Sequence, residues 1–530
     1  MSGASGAAAE LWRPAHNPWL IAVVVSLAAF MEVLDTSIAN VALPHIAGNL
    51  GASNDESTWV LTSYLVANAI VLPISGWLVE LFGRKRFFML CIALFTLGSV
   101  FCAIAPSLGI LLVSRVLQGA FGGGLQPMVQ AILADSFPLE RRGLAFSVYG
   151  ITAVCAPALG PTLGGWITDN YSWRWIFWIN LPVGLLALTL VLRLVQDPPY
   201  LTERRQSAMR VDYIGFALLV LGVGALQIML DKGQQEDWFA SRFITTLAVV
   251  AAMGLLTLVI YEWRQRAPLI DVRLFANRNF ATANLMMFVV GAVSFATTVL
   301  VPQFLQTLMG YTAQTAGMVL SVGALLLLVV MPIVGRLITV FQTRYLVAFG
   351  WVLLAGTMYL STQQLDLAVS FQSVTWLRVL QYLPIPFVFI PTTTAAYIGV
   401  PADKSNTVAG LVNFTRNIGS GVGTSIVTTL IARQSQFHQV HLVSRLAPDN
   451  PSFQAQLSDM VHRLAAAGLG TWEAQRQAYA RFYAMVQAQA QALAYIDTFW
   501  LLAIGAVVMF ALAFVLEPND PRAGGRVSVH

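Results

Sequence analysis

Charge is what this 530-residue chain has least of: 10% of its residues are Asp, Glu, Lys or Arg, against about 25% in soluble domains. So few charges cannot cover the surface of a water-borne protein of this size, which excludes an ordinary soluble enzyme. Cysteine is scarce as well. Cys91, Cys102 and Cys155 all lie in apolar runs without CxxC spacing, excluding a disulfide framework and a zinc site. The six histidines, His16, His45, His438, His441, His462 and His530, fall in tails, loops or a span end. No metal or cofactor is therefore expected, and no Ser/His or His/Asp cluster at depth suggests an intramembrane enzyme. A GxxxxGK[ST] phosphate loop is absent, so ATP is not the expected energy source. The net charge of +5 comes from basic residues scattered between apolar runs, which does not point to nucleic acid.

What is abundant is apolar sequence: 57% of the chain, with a mean hydropathy of +0.69. A window of about 20 residues, the length that crosses a bilayer as helix, finds fourteen runs. Their limits are near 18–43, 59–81, 87–105, 108–130, 144–167, 175–194, 213–231, 243–262, 280–304, 315–339, 345–362, 374–398, 405–431 and 497–516. An isolated apolar run in lipid must satisfy its own backbone hydrogen bonds, so each is helical, and the fold class is all-α, a polytopic membrane protein. The first run carries Glu32 and Asp35 and lacks a basic flank and a small-residue cleavage site before it, which reads as a retained span and not a signal peptide. One set of short loops holds sixteen Lys and Arg, including Arg84, Lys85, Arg86, Arg141, Arg142, Arg204, Arg205, Arg210, Arg266 and Lys404. The opposite set holds Arg174, Lys232 and Arg242. The imbalance places the first set and both termini in the cytoplasm. The long segment of about 433–496 then faces outward, with helix-compatible stretches at 453–467 and 472–494, the second capped by Thr471.

Two stretches repeat. Pro73-Ile74-Ser75-Gly76-Trp77-Leu78 recurs as Pro332-Ile333-Val334-Gly335-Arg336-Leu337, and Arg115-Val116-Leu117-Gln118 as Arg378-Val379-Leu380-Gln381. A shared offset near 260 residues with equal orientation predicts two parallel homologous bundles: an N-terminal six-helix bundle over 1–205, two linker spans over 206–268, and a C-terminal six-helix bundle over 269–530 that includes the outward segment.

Glu32 and Asp35 are the acids well inside a span, where a charge costs about 2.5–3.5 kcal/mol on insertion scales. Three apart, they share a helix face, and Pro44 with Thr36, Ser37 and Asn40 is expected to make the outer half of this helix less regular. At 1.5 Å per residue, Asp35 and Arg115 lie roughly 12 and 11 Å below the outer ends of their spans, so their depths allow a pair. Pairing favours the ionised carboxylate and burial without a partner the protonated one. A change that separates or hydrates the pair would move a proton, making Asp35, Arg115 and Glu32 the proton-coupling candidates. A static ion pair is the alternative for Asp35 and Arg115, and cation binding for Glu32. Tyr64, Asn68, Gln126, Gln303, Gln306, Asn413 and Arg416 offer polar groups along a central cavity, and Met286, Met287 and Phe288 suit a pocket that repacks. Gly122, Gly123 and Gly124 permit close packing or local unwinding of the fourth span.

At these residues the chain resembles a known family. Gly76 to Arg86, with Glu80 where aspartate is usual, is similar to the loop between spans two and three of the major facilitator superfamily; Gly83, Arg84 and Arg86 belong to it. The run Leu112 to Gly119, with Arg115, Gln118 and Gly119, resembles its fourth-span motif, whose arginine is implicated in proton transfer. Ala156 to Gly165 resembles the fifth-span antiporter motif of exporters; Gly160, Pro161, Gly164 and Gly165 are kept and Ala156 replaces its first glycine. Leu34 to Pro44 resembles the first-span motif of fourteen-span drug:proton antiporters of the EmrB/QacA type, closer to the EmrB branch. The resemblance implies a proton-coupled antiporter of the bacterial inner membrane that exports hydrophobic or amphipathic drugs and toxic compounds by alternating access. It also implies a tripartite pump with a periplasmic adaptor, an EmrA-like membrane fusion protein, and an outer-membrane channel. A dedicated exporter of one metabolite, siderophore or lipid, and a transport-inactive membrane sensor, are the alternatives.

Overall fold

The computed structural model describes residues 14–198, 212–265, 268–401, 404–446 and 450–519. Among the sixteen basic residues of one loop set, Arg204, Arg205, Arg210 and Arg266 lie outside the described residues. No strand occurs among the described residues, as expected for a chain that must satisfy backbone groups locally in lipid. In chain order the helices are α1 (Pro18–Leu50), α2 (Asn54–Phe82), α3 (Arg84–Ile104), α4 (Leu108–Gly122), α5 (Leu125–Ser136), α6 (Leu139–Asn170), α7 (Trp175–Trp178), α8 (Asn180–Leu194), α9 (Tyr213–Lys232), α10 (Arg242–Arg264), α11 (Arg278–Thr307), α12 (Ala313–Leu337), α13 (Thr343–Gln364), α14 (Phe371–Tyr382), α15 (Ile385–Ala395), α16 (Ser405–Val443), α17 (Pro451–Ala466) and α18 (Thr471–Ala513).

Thirteen helical segments of the described residues are long and apolar enough to cross a membrane. A fourteenth, α16, falls outside that set, its first turns carrying Asn413, Thr415, Arg416 and Asn417. It nevertheless packs along α11, α2 and α18, so its polar groups face protein and not lipid. Two spans are broken. Gly123 and Gly124 interrupt the fourth between α4 and α5, and Leu383-Pro384 interrupt the twelfth between α14 and α15. Pro44 does not disturb α1, which runs unbroken to Leu50 and ends on Gly51 in the left-handed region. Because Pro44 sits in its last two turns, the lost hydrogen bond is tolerated without a bend large enough to end the helix.

The two halves repeat one packing scheme. In the first, α1 packs on α6, α2 on α4 and α3 on α8; in the second, α11 packs on α16, α12 on α14 and α13 on α18. The seams between them are likewise exchanged, α6 lying against α12 and α2 against α16. At the basic end, Gly76 and Gly410 bring α2 and α16 together, since a Cβ on Gly76 would meet the Thr407 backbone at 3.0 Å and one on Gly410 the Leu72 carbonyl at 2.7 Å. The linker pair α9 and α10 sits outside the α2–α16 seam, with α9 touching both.

The segment of about 433–496 is more helical than its sequence suggests. Helix α16 extends twelve residues past the expected limit to Val443, and α18 is one continuous helix of 43 residues from the segment through the last span. Thr471 is its first residue and not its cap; Gly470 holds the cap position without a side-chain bond. His438 and Asp497, 2.7 Å apart, join α16 to α18.

Candidate functional site

The first span places Asp35 and Glu32 on adjacent turns of α1, and the structure gives each its own network. Asp35, 2% exposed, accepts from Arg115 Nη1 at 2.6 Å through Oδ2, and from Gln118 Nε2 at 3.0 Å and Asn180 Nδ2 at 2.6 Å through Oδ1. Arg115 is wholly buried and also donates to Gln118 Oε1 at 2.7 Å and to the Val60 carbonyl at 3.1 Å. Ser99 closes the set, accepting from Gln118 and Asn180. A buried charge pair is tolerable when its remaining lone pairs and protons are bonded; Gln118, Asn180 and the Val60 carbonyl do most of this, with Ser99 behind them, and leave Arg115 Nη2 without an acceptor among the described residues. The expected equal depth of Asp35 and Arg115 is thus realised as direct contact. Asn180 and Ser99 were not singled out from sequence; a lone amide in an apolar run is the signal that marks Asn180.

Glu32 belongs to the second network. Its Oε1 accepts from Tyr64 at 2.9 Å and Asn68 at 3.1 Å, and its Oε2 from Gln126 Nε2 at 2.7 Å. The glycine run of the fourth span makes room for this. A Cβ on Gly119 would strike the Tyr64 backbone carbonyl, one on Gly122 would meet the Tyr64 hydroxyl at 2.6 Å, and one on Gly123 the Asn68 carbonyl at 2.6 Å. The run therefore serves both close packing and unwinding. Gln126 Oε1 in turn accepts from Arg416 on α16 and lies 2.9 Å from the Tyr149 hydroxyl, whose one proton it shares with Asn413 Oδ1. Asn413 accepts from Tyr149 at 2.9 Å and donates to Gln130 Oε1 at 2.8 Å. The network thus crosses from one half to the other. Tyr64 joins both networks: its hydroxyl holds Glu32 while its ring lies 4.3 Å below the Arg115 guanidinium. Gln130 and Tyr149, missed in the sequence reading, are both wholly buried.

The antiporter-like stretch packs on the turn that follows Asp35. Pro161 has no N–H for the Pro157 carbonyl, which instead accepts from Ser37 Oγ at 2.9 Å. A Cβ on Gly160 would collide with the Ser37 side chain, and one on Gly164 would meet Ile38 at 3.2 Å, while Gly165 faces Gln314 at ordinary contact distance. At the basic end, Arg84 is buried against Asp135 at 2.6 Å and donates to Asn406 Oδ1 at 3.0 Å and Ser405 Oγ at 3.2 Å. It therefore bonds across the two halves. Glu80 is half-buried and Arg86 exposed.

Three sequence expectations fall elsewhere. Gln303 and Gln306 lie five and eight residues beyond Thr298 on α11, roughly 7 and 12 Å further along it, and hydrogen bonds among the described residues do not join them to Glu32. Gln306 is exposed. Met286 and Met287 are wholly buried in the packed core and are not on the wall of the cavity between the halves.

Between the halves is a cavity of about 30 Å³ lined by Pro157, Ser294, Phe295, Thr298, Tyr382, Ile385, Phe389 and Arg416, among others. The basic end beside it is shut. There α5 packs on α16 and α15 on α6, across the seam, whereas α4 and α14 pack mainly within their own halves.

Comparison with known proteins agrees with this geometry. Residues 25–424 match the model of the Major Facilitator Superfamily. The chain is 36% identical over 511 residues to the multidrug export protein EmrB of Escherichia coli K12, covering 96% of this chain and 98% of that one. It is 38% identical over 499 residues to the EmrB protein of Haemophilus influenzae, covering 94% and 96%. Among solved structures, a double-tryptophan mutant of XylE superposes with a TM-score of 0.60 at 12% identity, over 96% of this chain and 98% of that one, a likeness of fold.

Proposed function

The chain belongs to the major facilitator superfamily, and from that membership we propose that it is a multidrug exporter of the inner membrane, driven by protons and working by alternating access. It acts as a transporter and not as an enzyme. The observation that carries the proton-coupled reading is the pair of adjoining networks, Asp35 with Arg115 and Glu32 with Tyr64, Gln126 and Arg416, which meet where the Arg115 guanidinium lies over the Tyr64 ring and so link a buried acid of one half to a cation of the other.

The basic end is cytoplasmic in this reading, as are both termini, so the structure is shut toward the cytoplasm by the Arg84 contacts and by α5 and α15. A proton arriving from the outer side neutralises Glu32 or Asp35. Neutral Glu32 no longer holds Gln126 as a charged acceptor, which loosens Gln126 from both Tyr149 and Arg416. Neutral Asp35 weakens the tie between α1 and α4 that Arg115 provides. The first event relaxes the contacts that join the halves through Gln126 and Arg416, and the second frees helices to move within the first half. Substrate enters the space beside Arg416, whose wall also holds Ser294, Thr298 and Tyr382, and Tyr64, Asn68, Gln126 and Asn413, in the network behind Arg416, become polar contacts as the halves part. The motif residues Gly76, Glu80, Gly83, Arg84, Arg86, Gln118, Gly119, Gly160, Pro161, Gly164 and Gly165 serve the packing and gating of the same helices. The extended α16 and α18, with α17 folded on the latter, form an outward stalk, and EmrB-like pumps engage a periplasmic adaptor and an outer-membrane channel on that side.

The test is proton movement in proteoliposomes holding a pH gradient, read with an internal pH dye as ethidium, a lipophilic weak acid and a neutral steroid are added in turn. Substrate-dependent collapse of the gradient that disappears in Asp35→Asn supports the reading. Transport of any of these compounds with no accompanying proton movement refutes it.

A further inference from the structure

The second half carries a copy of the Arg115 network with its acid replaced. The offset of 263 residues that relates Arg115 to Arg378 also relates Gln118 to Gln381 and Asp35 to Thr298. The contacts follow suit. Arg378 Nη1 donates to Gln381 Oε1 at 2.9 Å, Gln381 Nε2 to Ser361 Oγ at 2.8 Å, and Arg378 Nη2 to Thr298 Oγ1 at 3.2 Å. Where Arg115 has a carboxylate, Arg378 has a hydroxyl. Its Nε, whose counterpart donates to the Val60 carbonyl, has no acceptor, and it has no ion-pair partner among the described residues. Arg378 is 2% exposed, and its guanidinium lies over the Tyr382 ring at 4.3 Å, so its charge faces an aromatic ring and hydroxyls where Arg115 faces an acid.

Two of the groups that surround Arg378 also line the cavity between the halves. Thr298 and Tyr382 are on its wall, together with the half-buried Arg416. The Tyr382 hydroxyl accepts from Arg378 Nη2 at 3.1 Å, and no hydrogen bond among the described residues takes its own proton. Gly323 lets the ring sit there, since a Cβ would meet it at 2.6 Å. Counting the groups at depth, Arg115, Arg378 and Arg416 stand against Asp35 and Glu32, which leaves one positive charge in excess even with both acids ionised. An isolated buried cation is costly unless paired, and a hydroxyl held by a guanidinium is a strengthened donor.

We propose that this cavity is a subsite for the anionic head of an amphipathic substrate, a carboxylate that accepts from the Tyr382 hydroxyl and Arg416 while Arg378 behind them supplies the compensating charge. The proposal rests on the exporter reading above, and specifies the substrate class of the same cavity. The space holds roughly two waters' worth of volume, enough for a carboxylate. The apolar tail extends along Phe295, Ile385 and Phe389 once the halves part. Phe295 stands at the position equivalent to Glu32 by the same offset, so the second half offers an apolar wall where the first has an acid.

The experiment uses full-length protein in lipid nanodiscs and three probes with one tail: octanoate, 1-octanol and octyltrimethylammonium, each titrated by intrinsic tryptophan fluorescence and thermal shift. Octanoate is expected to bind at least tenfold more tightly than octanol, and the cation more weakly than either. Tyr382→Phe is expected to weaken octanoate about tenfold and leave octanol unchanged. Thr298→Asp, which gives Arg378 an internal acid as Asp35 does for Arg115, is expected to abolish the preference. Arg378→Gln should do the same, and Thr298→Asp and Tyr382→Phe decide the matter if that variant does not fold. Equal binding of octanoate and octanol, or a preference that survives Thr298→Asp, overturns the proposal. Proton-coupled transport of ethidium without octanoate selectivity would sink this subsite and leave the exporter reading intact; octanoate selectivity without any proton movement would do the reverse.

Discussion

Removing the amide of Asn406 isolates the bond by which Arg84 reaches across to the second half at the basic end. Asn406 Oδ1 accepts from Arg84 Nε at 3.0 Å, and both residues are buried. A hydrogen bond to a charged group contributes about 1.5–3 kcal/mol, and water entering at this membrane edge recovers part of it, so the lower figure applies to Asn406→Ala. That is about a tenfold change in the ratio of closed to open molecules. Asp135 stays in place, so the Arg84 charge remains paired and the first half keeps its own packing. Adding Ser405→Ala removes the bond it accepts from Arg84 at 3.2 Å and the longer one it donates to Asp135 at 3.4 Å, and should bring the total to at least about a hundredfold. Spin labels replacing Phe82 and Val340, both exposed and on opposite halves, report the separation of the basic ends by pulsed electron resonance. The long-distance population should grow stepwise from parent to single to double variant. An unchanged distance distribution in the double variant would mean that Arg84 merely packs the first half, and that the seam is closed by the glycine contacts alone.

Other outcomes follow from the same contacts. Asp35→Asn keeps the shape of the side chain but not its charge, so substrate binding should persist while substrate-driven proton movement in vesicles falls to background; normal proton movement would remove Asp35 from the mechanism. Arg115→Lys cannot serve Asp35, Gln118 and the Val60 carbonyl together, because a single ammonium lacks the planar fork. Coupling should drop at least tenfold, and full coupling would assign Arg115 a purely structural part. Gly160→Ala drives a methyl into Ser37, which is held by the Pro157 carbonyl, and overpacking of this kind costs about 1–3 kcal/mol. A fall of several degrees in melting temperature is expected, whereas an unchanged melting curve would show that α1 and α6 can shift apart freely.

Much of the architecture was legible because lipid leaves few choices: an apolar run of about 20 residues has to be a helix, and the expected runs coincide with helices across the chain. The pairing of Asp35 with Arg115 was legible for a related reason, since acids at depth are few and depth can be counted along a helix. The breaks in the fourth and twelfth spans were visible only as glycine and proline, which mark where a helix can open without saying that it does. What stayed hidden is the set of neutral groups that finish the networks. Ser99, Asn180, Gln130 and Tyr149 are unremarkable residues in a membrane span, and only the packing of α3, α5, α6 and α8 reveals that their polar atoms converge. The same limit explains Gln303 and Gln306, whose chemistry suits a cavity but whose position on α11 does not reach the Glu32 network.

The continuity of α18 has a mechanical consequence. With no hinge between the last span and the helix that precedes it, a tilt of the second half within the membrane turns the whole rod. The stretch beyond the bilayer is roughly 25 residues, or about 38 Å, long, so a rotation of about ten degrees at its base sweeps its tip sideways by about 7 Å. Any protein seated on that tip would be pushed and released once per turnover, and would need no chemical signal to keep time with the pump.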